Sequence, residues 1–360
     1  MEPDYISPEG QGHGSVAALM LRNNFDPACL KPYVGDDGRS YISRNTGKLD
    51  KDGKPIYNAV LTNADALLRI REWIELDTVV QKIARNRLRA YADLRAAGLS
   101  YNMSSGMGKT VLESQRQSDV TGAVTSMDGV RKSENDRPVY DSVSLPLPIT
   151  HKDFQISARQ LATSRQSGGG VDTTMAEEAA RKVAEAVEDL TLGTAATFSY
   201  GGGTVYGYTN YTGRITATMT LPTAVGWTPA DTLDEVLAMK AQSIAANHYG
   251  PWFLYTSPNW EKYLDGDYSA AKGQNTLRDR LAQIEGVDRA RTLDRLTGYQ
   301  MILVEKNTGV VRAVTAMDIT TLQWPSEGGL MLNFKVMCIM VPQLRADYAG
   351  NTGIVHGTAV

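Results

Sequence analysis

The sequence predicts an α+β fold, and three observations lead to that prediction. Residues 144–157, SLPLPITHKDFQIS, alternate apolar with polar side chains as a β-strand does. Residues 172–195, DTTMAEEAARKVAEAVEDLTLGTA, are rich in alanine and repeat apolar residues every three or four positions, which predicts one long helix. From residue 198 onward, short strands and helices mix without a regular repeat or a succession of βαβ units.

The segment before this strand and helix contains an arm, a helical region and a polar excursion. Residues 1–61 scatter Gly, Pro, Asn and Asp among short extended pieces, so we expect them not to fold by themselves. Helices are predicted from Asn63 and again from Asp77, ending before Gly98, because both residues are good N-caps. Residues 98–140 hold too few apolar residues for a core, and their alternating fragments favour a long two-stranded hairpin that something else must hold.

The long helix is predicted to bury one stripe of side chains. That stripe consists of Met175, Ala179, Val183, Val187 and Leu190. The charged residues predicted to cover the rest of its surface are Glu177, Glu178, Arg181, Lys182, Glu185 and Glu188. Its N-cap is predicted at Thr174, in a capping box with Glu177, or at Asp172, and residues 164–170, SRQSGGG, are predicted to form a flexible joint before it.

The second half of the chain contains shorter elements of both kinds. The predicted helices run from Thr228 to Ile244, from residue 258 onward and over 277–284, and the predicted strands cover 251–255, 301–304, 310–314 and 330–341. Two of these helices open with Thr-Pro or Ser-Pro, because proline fits the first turn of a helix. This mixture completes the α+β prediction.

The composition argues against several classes of protein. Lys and Arg number 37 and Asp and Glu 40, so the net charge of −3 argues against a dedicated nucleic-acid-binding protein. The two cysteines, Cys29 and Cys338, lack the paired spacing of a zinc site or a disulfide framework. No apolar run approaches the ~20 residues that span a bilayer, so no membrane contact is expected.

No arrangement of residues predicts catalysis. Residues 106–110, GMGKT, resemble the end of a phosphate-binding loop, but Met103 stands where that loop requires glycine. His151, Asp153 and Ser157 share one face of one strand, where they form a row rather than a triad. We expect no catalytic, cofactor-binding or metal-binding residue and no enzymatic activity. The alternative left open is a soluble hydrolase or nucleotide-binding enzyme that uses His151 or the loop at residues 106–110.

One charged cluster is a candidate interaction site. Lys82, Arg85, Arg87 and Arg89 give the second predicted helix a local positive excess. Like charges one helical turn apart repel each other unless an anionic group faces them. A solvated helix face is the ordinary interpretation of such a cluster. The alternative is that these four residues face the acidic long helix of a neighbouring copy or nucleic-acid phosphate.

Two stretches carry a resemblance to a known family. Residues 250–258, GPWFLYTSP, are followed by the short helical segment NWEKYL, and LPLPITHKDFQIS is followed by EEAARKVAEAVEDL. These patterns, and the order of elements from residue 63 onward, resemble the major capsid proteins of tailed bacteriophages and the related encapsulin (linocin-type) shell proteins, which share the Hong Kong 97-type fold. Because a long arm precedes the first helix and the excursion is long, the sequence is more similar to the phage capsid proteins.

The resemblance implies a division of the chain into functional parts. It makes residues 1–61 an N-terminal arm, 62–97 an N-terminal helical region, 98–140 an extended loop, 141–200 the strand and spine helix of a peripheral domain, 201–325 an axial domain and 326–360 return strands to the peripheral domain. The spine helix then corresponds to Asp172 through Ala196. In this family the extended loop lies across a neighbouring subunit.

The resemblance also implies a function. It implies a structural protein whose hexamers and pentamers form an icosahedral phage head around double-stranded DNA, which the protein contacts nonspecifically. An encapsulin-like compartment that holds a cargo enzyme is the alternative. Scaffolding, portal or decoration proteins are implied as partners, and the implied location is the virion, after assembly in the bacterial host cytoplasm. Some phage relatives crosslink a loop Lys to a C-terminal Asn, but for Lys109 and Asn351 no crosslink is expected, since no catalytic Glu in an apolar site is evident.

Overall fold

The computed structural model describes most of the chain after residue 30. The described residues are 31–51, 55–61, 68–103, 106–118, 120, 122–123, 125, 127, 137–166, 173–268, 275–327, 330–348 and 350–359. Cys29 therefore lies outside them, and Cys338 is a buried free thiol. None of the helices in the described ranges is long and apolar enough to cross a membrane.

Helices and strands alternate irregularly along the described residues, so the predicted α+β class is confirmed. The helices are α1 Ile70–Arg87, α2 Ala90–Ala96, α3 Ala158–Gln166, α4 Thr174–Leu192, α5 Pro229–Ala245, α6 Glu261–Leu264 and α7 Leu277–Ala282. The first eight strands are β1 Tyr33–Val34, β2 Ser40–Leu49, β3 Pro55–Leu61, β4 Ser100–Asn102, β5 Val111–Gln117, β6 Tyr140–Pro146, β7 Thr150–Ser157 and β8 Phe198–Tyr200. The others are β9 Gly203–Val205, β10 Ile215–Met219, β11 Trp252–Thr256, β12 Arg291–Thr292, β13 Gln300–Glu305, β14 Val311–Ser326, β15 Met331–Leu344 and β16 Ile354–Ala359.

A four-stranded sheet in the order β4-β14-β15-β7 lies at the centre of one half of the molecule. β14 and β15 form a long antiparallel pair whose register runs from Val311 opposite Leu344 to Ser326 opposite Met331. Side chains alternate along β15, so its two faces enter different cores. Phe334, Val336 and Cys338 pack with α4, whereas Met337, Ile339 and Val341 pack with Leu145 and Leu147 at the foot of β6.

The long helix α4 covers the first of these faces. Ala176, Ala180 and Ala184 are fully buried there, because small side chains let a helix approach a sheet closely. The helix ends at Gly193, whose left-handed φ of 84° suits glycine. The predicted long helix is thus confirmed, but the predicted cap at Thr174 is wrong, since Thr173 is the N-cap, and Asp172 lies outside the described residues.

The predicted buried stripe of α4 is partly wrong. Met175 is half exposed, whereas Glu185 and Glu188, predicted to face solvent, are buried at 7% and 2% exposure. Both carboxylates find donors in neighbouring helices, which is how a charged residue can enter a protein interior. The helix therefore buries much more than one stripe.

The N-terminal helical region contains two helices, as predicted, but the break between them lies at Leu88 and not at Asp77. α1 runs without a break through Asp77, whose carboxylate pairs with Lys31 and caps no helix. The chain turns at Leu88, and the short helix α2 follows. Asn63, the other predicted cap, lies outside the described residues.

A hairpin is present, but its return strand begins at Tyr140 and so lies almost wholly outside the predicted range of 98–140, and the strand predicted after it is divided. β5 pairs with β6 from Val111 opposite Pro146 to Gln117 opposite Tyr140, and we call this pair the hairpin. The single strand predicted over 144–156 is wrong, because β6 ends at Pro146 and β7 begins at Thr150. Pro146 and Pro148 have no N–H, so a ladder cannot run through both.

The predicted flexible joint at residues 164–170 is partly helical. Residues 164–166 belong to α3, and residues 167–170 lie outside the described part of the chain. The guanidinium of Arg165 in α3 donates two 2.7 Å hydrogen bonds to Glu72 of α1. This ion pair ties the segment to the N-terminal helix.

A five-stranded sheet in the order β10-β16-β13-β11-β12 forms a third core with α5 and α7. The helix predicted from Thr228 and the strands predicted around residues 251–255, 301–304, 310–314 and 330–341 are confirmed. β14 belongs to the four-stranded sheet and β16 to the five-stranded one. The sheets therefore divide the chain differently from the boundary predicted between residues 325 and 326.

Candidate functional site

Large apolar side chains are exposed on three elements that lie before α4. We call β1–β3 the arm sheet. The exposed residues are Leu49, Ile56, Tyr57, Val60 and Leu61 on the arm sheet, Ile70 and Ile74 on α1, and Val139, Tyr140 and Val143 on or beside the hairpin. Others lie elsewhere, such as Val225 and Tyr249 in loops, Met175 on α4 and Leu237 on α5. Apolar surface of this kind is typical of protein interfaces, so the arm sheet and the hairpin are the candidate site.

β3 exposes both of its faces. Ile56 and Val60 share one face and Tyr57 and Leu61 the other, and all four are exposed. The strand carries no charged residue, and among the described strands only β2 pairs with it. An uncharged edge strand of this kind can accept a strand from another chain.

Three contacts tie the start of the arm sheet to the body. The indole N–H of Trp73 donates to the carbonyl oxygen of Pro32 over 3.0 Å, and the ammonium of Lys31 pairs with Asp77. The N–H of Val34 donates to the carbonyl oxygen of Leu68 over 2.9 Å. The position of the arm sheet therefore depends on α1.

The base of the hairpin is fastened to the four-stranded sheet. The side-chain amide of Gln343 donates to Ser114 Oγ over 3.2 Å, and Leu112 packs against the cluster that contains Leu145. Gly203 of β9 lies against the backbone of β6. A Cβ atom added at Gly203 would stand 2.1 Å from the carbonyl oxygen of Ser144. Only a glycine permits this approach, so the hairpin leaves the body from a fixed position.

Two of the four residues of the predicted basic cluster, Arg87 and Arg89, have hydrogen-bond partners within the described part of the chain. Lys82 is exposed, and the side chain of Arg85 lies outside the described atoms. Arg87 donates to Glu185 over 2.7 Å and to Asp294 over 2.8 Å, whereas Arg89 donates to the carbonyl oxygen of Thr292 over 3.2 Å. The acidic helix predicted as a partner is present for Arg87, but it is α4 of the same chain. Contact of the cluster with a neighbour or with phosphate stays a prediction.

Two glutamates on α4 have opposite electrostatic environments. Burial acts to raise the pKa of Glu185, but hydrogen bonds from Arg87 and Lys182 outweigh it and hold that pKa below its usual value. Among the described residues, Glu188 accepts hydrogen bonds from the backbone N–H groups of Ala90 and Tyr91 alone, and burial raises its pKa to about 7. Sequence analysis missed both buried glutamates.

A signal for Glu188 was present in the sequence. Ala176, Ala180 and Ala184 recur every fourth residue, and Glu188 is the next position of that row. A carboxylate that continues a row of alanines on a buried helix face is a candidate for an internal helix contact.

The alternatives based on catalysis find no matching geometry. His151 Nδ1 and Asp153 Oδ1 are 3.8 Å apart on β7, both half exposed, and Ser157 Oγ bonds instead to Gln160. Lys109 is exposed, and β5 follows it where a phosphate-binding loop requires a helix. Within the described residues no group of three His, Cys, Asp or Glu side chains could hold a metal ion.

The comparisons with known proteins give one family and one fold. The model of a family described as "Family of unknown function (DUF6260)" matches residues 63–357. A comparison with curated proteins gave no match.

Solved structures of shell proteins are similar over most of the chain. A virus-like particle from Pyrococcus furiosus has 16% identity and a TM-score of 0.54, with 80% of this chain and 99% of that chain covered. The capsid of Myoviridae phage XM1 has 10% identity and a TM-score of 0.56, with 70% and 86% covered. The capsid of a native GTA particle has 16% identity and a TM-score of 0.52, with 76% and 92% covered. At such identities the similarity establishes the fold, which is the Hong Kong 97-type fold that the sequence resembles.

Proposed function

The chain belongs to the DUF6260 family of unknown function, and we propose that it is the structural subunit of an icosahedral phage head that encloses double-stranded DNA. The observation that carries this proposal is a capsid-type fold whose arm sheet and hairpin expose apolar side chains. Assembly with copies of the same chain would cover those side chains.

The energetics of the two exposed elements support assembly. A two-stranded hairpin is at best marginally stable in water, because it buries little apolar area. β5 and β6 are anchored at one end only in the described residues, and β3 has no cover on either face. Stable interfaces bury roughly 1,200–2,000 Å² or more, so a neighbouring subunit could supply the missing burial.

The proposed role needs no chemistry from this chain. We propose that it is not an enzyme, that it forms hexamers and pentamers, and that scaffolding, portal or decoration proteins assist it. DNA contact would be nonspecific, because acidic and basic residues nearly balance at a net charge of −3. The proposed location is the virion, after assembly in the host cytoplasm.

The domain assignment belongs to the same proposal. In it the arm is residues 1–61, the helical region 62–97 and the extended loop 98–140, and the four-stranded sheet with α4 is the peripheral domain. The five-stranded sheet, including β16, is the axial domain.

A second candidate is a protein compartment that holds a cargo enzyme. The similarity to the Pyrococcus furiosus virus-like particle, which covers 99% of that chain, supports this second candidate. The two candidates differ in content, because a phage head encloses DNA and a compartment encloses protein.

Electron microscopy of the purified full-length protein tests the proposal. Closed shells of uniform size would support a shell protein, and nuclease-protected double-stranded DNA inside particles from the native source would select the phage head. Protein cargo without DNA would select the compartment. A subunit that stays monomeric at every concentration and binds a nucleotide would contradict both.

A further inference from the structure

We propose that Glu188 makes the contact between α2 and α4 proton-dependent, so that α2 is held most firmly when the carboxyl group is neutral and less firmly when it is ionised. The inference concerns the folded subunit and does not depend on the proposed function. It rests on the position of one carboxyl group between two helices.

Glu188 connects the long helix to the first turn of α2. Its Oε1 accepts the N–H of Ala90 over 2.7 Å, and its Oε2 accepts the N–H of Tyr91 over 3.4 Å. The first N–H groups of a helix have no partner within the helix, so this side chain satisfies two of them from another element. Only 2% of the Glu188 surface is exposed.

No cation compensates an ionised Glu188 in the described part of the structure. The basic groups nearby have other partners: Arg87 of α1 binds Glu185 and Asp294, Arg291 of β12 binds Asp93, and Arg295 binds Asp189. Of the acidic groups, Asp93 on α2 and Asp294 carry charges that repel the ionised form. A buried charge without a counter-ion is costly.

The remaining neighbours are tyrosines, which are neutral. Tyr255 of β11 donates its hydroxyl to Asp93 over 3.3 Å, and Tyr208, in the loop after β9, has a buried hydroxyl with no hydrogen-bond partner among the described residues. The Tyr91 hydroxyl donates to the carbonyl oxygen of Val314 on β14 over 2.8 Å. A neutral Glu188 keeps a carbonyl oxygen for the N–H of Ala90, so protonation removes the charge and preserves the shorter hydrogen bond.

The sign and size of the effect follow from linkage. Burial raises the pKa of Glu188 from 4.5 to about 7, and Asp93 and Asp294 act in the same direction. A carboxyl group whose pKa is raised in the folded state contributes stability when protonated, and that contribution is lost as the pH rises through about 7. Between pH 6 and pH 8 the opening of α2 should become about tenfold more favourable.

Hydrogen exchange of the full-length protein, corrected for the chemical exchange rate at each pH, tests the inference. In the wild type we expect peptides that cover α2 to lose about tenfold in protection between pH 6 and pH 8. Glu188→Gln, which is neutral and keeps an accepting oxygen, should show no such change. Glu178→Gln, a substitution on the exposed side of the same helix, should behave as the wild type.

Two results would overturn the inference. One is a Glu188→Gln protein that keeps the pH dependence of the wild type, and the other is a wild-type change spread evenly over the chain. If the variant does not fold, infrared spectroscopy of wild-type protein with isotope-labelled glutamate answers the same question. A glutamate that loses its protonated carbonyl band near pH 7 is expected, and its absence would contradict the proposal.

Discussion

The guanidinium of Arg87 on α1 donates a hydrogen bond to the carboxylate of Glu185 on α4 over 2.7 Å. The Glu185 side chain is 8% exposed, so its negative charge lies in a largely dry environment with Arg87 and Lys182 as donors. The same guanidinium reaches Asp294 over 2.8 Å. One side chain therefore holds together the N-terminal helix, the long helix and the segment after β12.

Replacement of Arg87 should destabilise the subunit. Arg87→Ala leaves the Glu185 carboxylate buried without its main partner, and we expect a loss of about 1–3 kcal/mol in the free energy of unfolding. Urea denaturation of the purified subunit measures this. Lys82→Ala, at an exposed position five residues earlier on the helix, should stay within about 0.5 kcal/mol of the wild type. Equal stability of the two variants would contradict the role given to Arg87.

A methyl group at Gly203 should displace the base of the hairpin. In Gly203→Ala the new Cβ atom would stand 2.1 Å from the carbonyl oxygen of Ser144, so β6 must shift. We expect a loss of about 1–3 kcal/mol in stability and faster proteolysis of the hairpin. Gly108→Ala is the matched control, because nothing lies within 4 Å of a Cβ atom there. Unchanged proteolysis of Gly203→Ala would show that the hairpin does not depend on this approach.

A charge on the arm sheet should prevent assembly without unfolding the subunit. Leu61 is 55% exposed, so Leu61→Asp should change the free energy of unfolding by no more than about 0.5 kcal/mol. If a neighbouring subunit covers this side chain, an unpaired carboxylate there is costly and shells should be absent by electron microscopy. Val225→Asp places the same group on an exposed loop and serves as the control for surface charge. Normal shells from Leu61→Asp would exclude the arm sheet as an interface.

His356 should make the stability of the five-stranded sheet decrease in acid. Burial and the positive charge of Arg214 lower the pKa of His356 to about 4, against 6.5 for a free histidine. As the pH falls, His356 therefore binds a proton in the unfolded chain at a higher pH than in the folded chain. The free energy of unfolding consequently decreases as the pH falls from 6.5 towards 4. The unfolding constant should rise by up to about tenfold per pH unit in this range.

Urea denaturation at pH 7 and pH 5 tests this expectation. His356→Gln should lose less stability between the two values than the wild type does. His151→Gln, at a half-exposed position on β7, should follow the wild type. Parallel losses in wild type and His356→Gln would contradict the argument.

Local patterns in the sequence predicted most of the elements. Alternating apolar residues located β7, a long apolar run located β15, and alanine-rich periodicity located α4, because these signals depend on a few neighbouring residues. The boundaries that failed depend on distant contacts. Asp77 is a good cap by type, but Lys31 binds its carboxylate, and the helix continues past it.

The candidate site was less predictable, because charge alone does not show which partner a side chain meets. Arg87 and Glu185 were both assigned to exposed surfaces, and in the structure they pair with each other. Nothing in the sequence distance of 98 residues between them indicates the pairing. The exposed faces of β3 are likewise visible only once β2 is seen to be its single described partner.

The strand β16 sets an order of events during synthesis. It lies between β10 and β13 in the five-stranded sheet, although residues 220–353 separate it from β10. Until residues 354–359 have left the ribosome, β10 has no neighbour in that sheet and one edge of β13 is open. β10 must therefore stay unpaired while more than a third of the chain is translated, although β11, β12 and β13 can already pair, and a chaperone that binds nascent chains would find its target at β10.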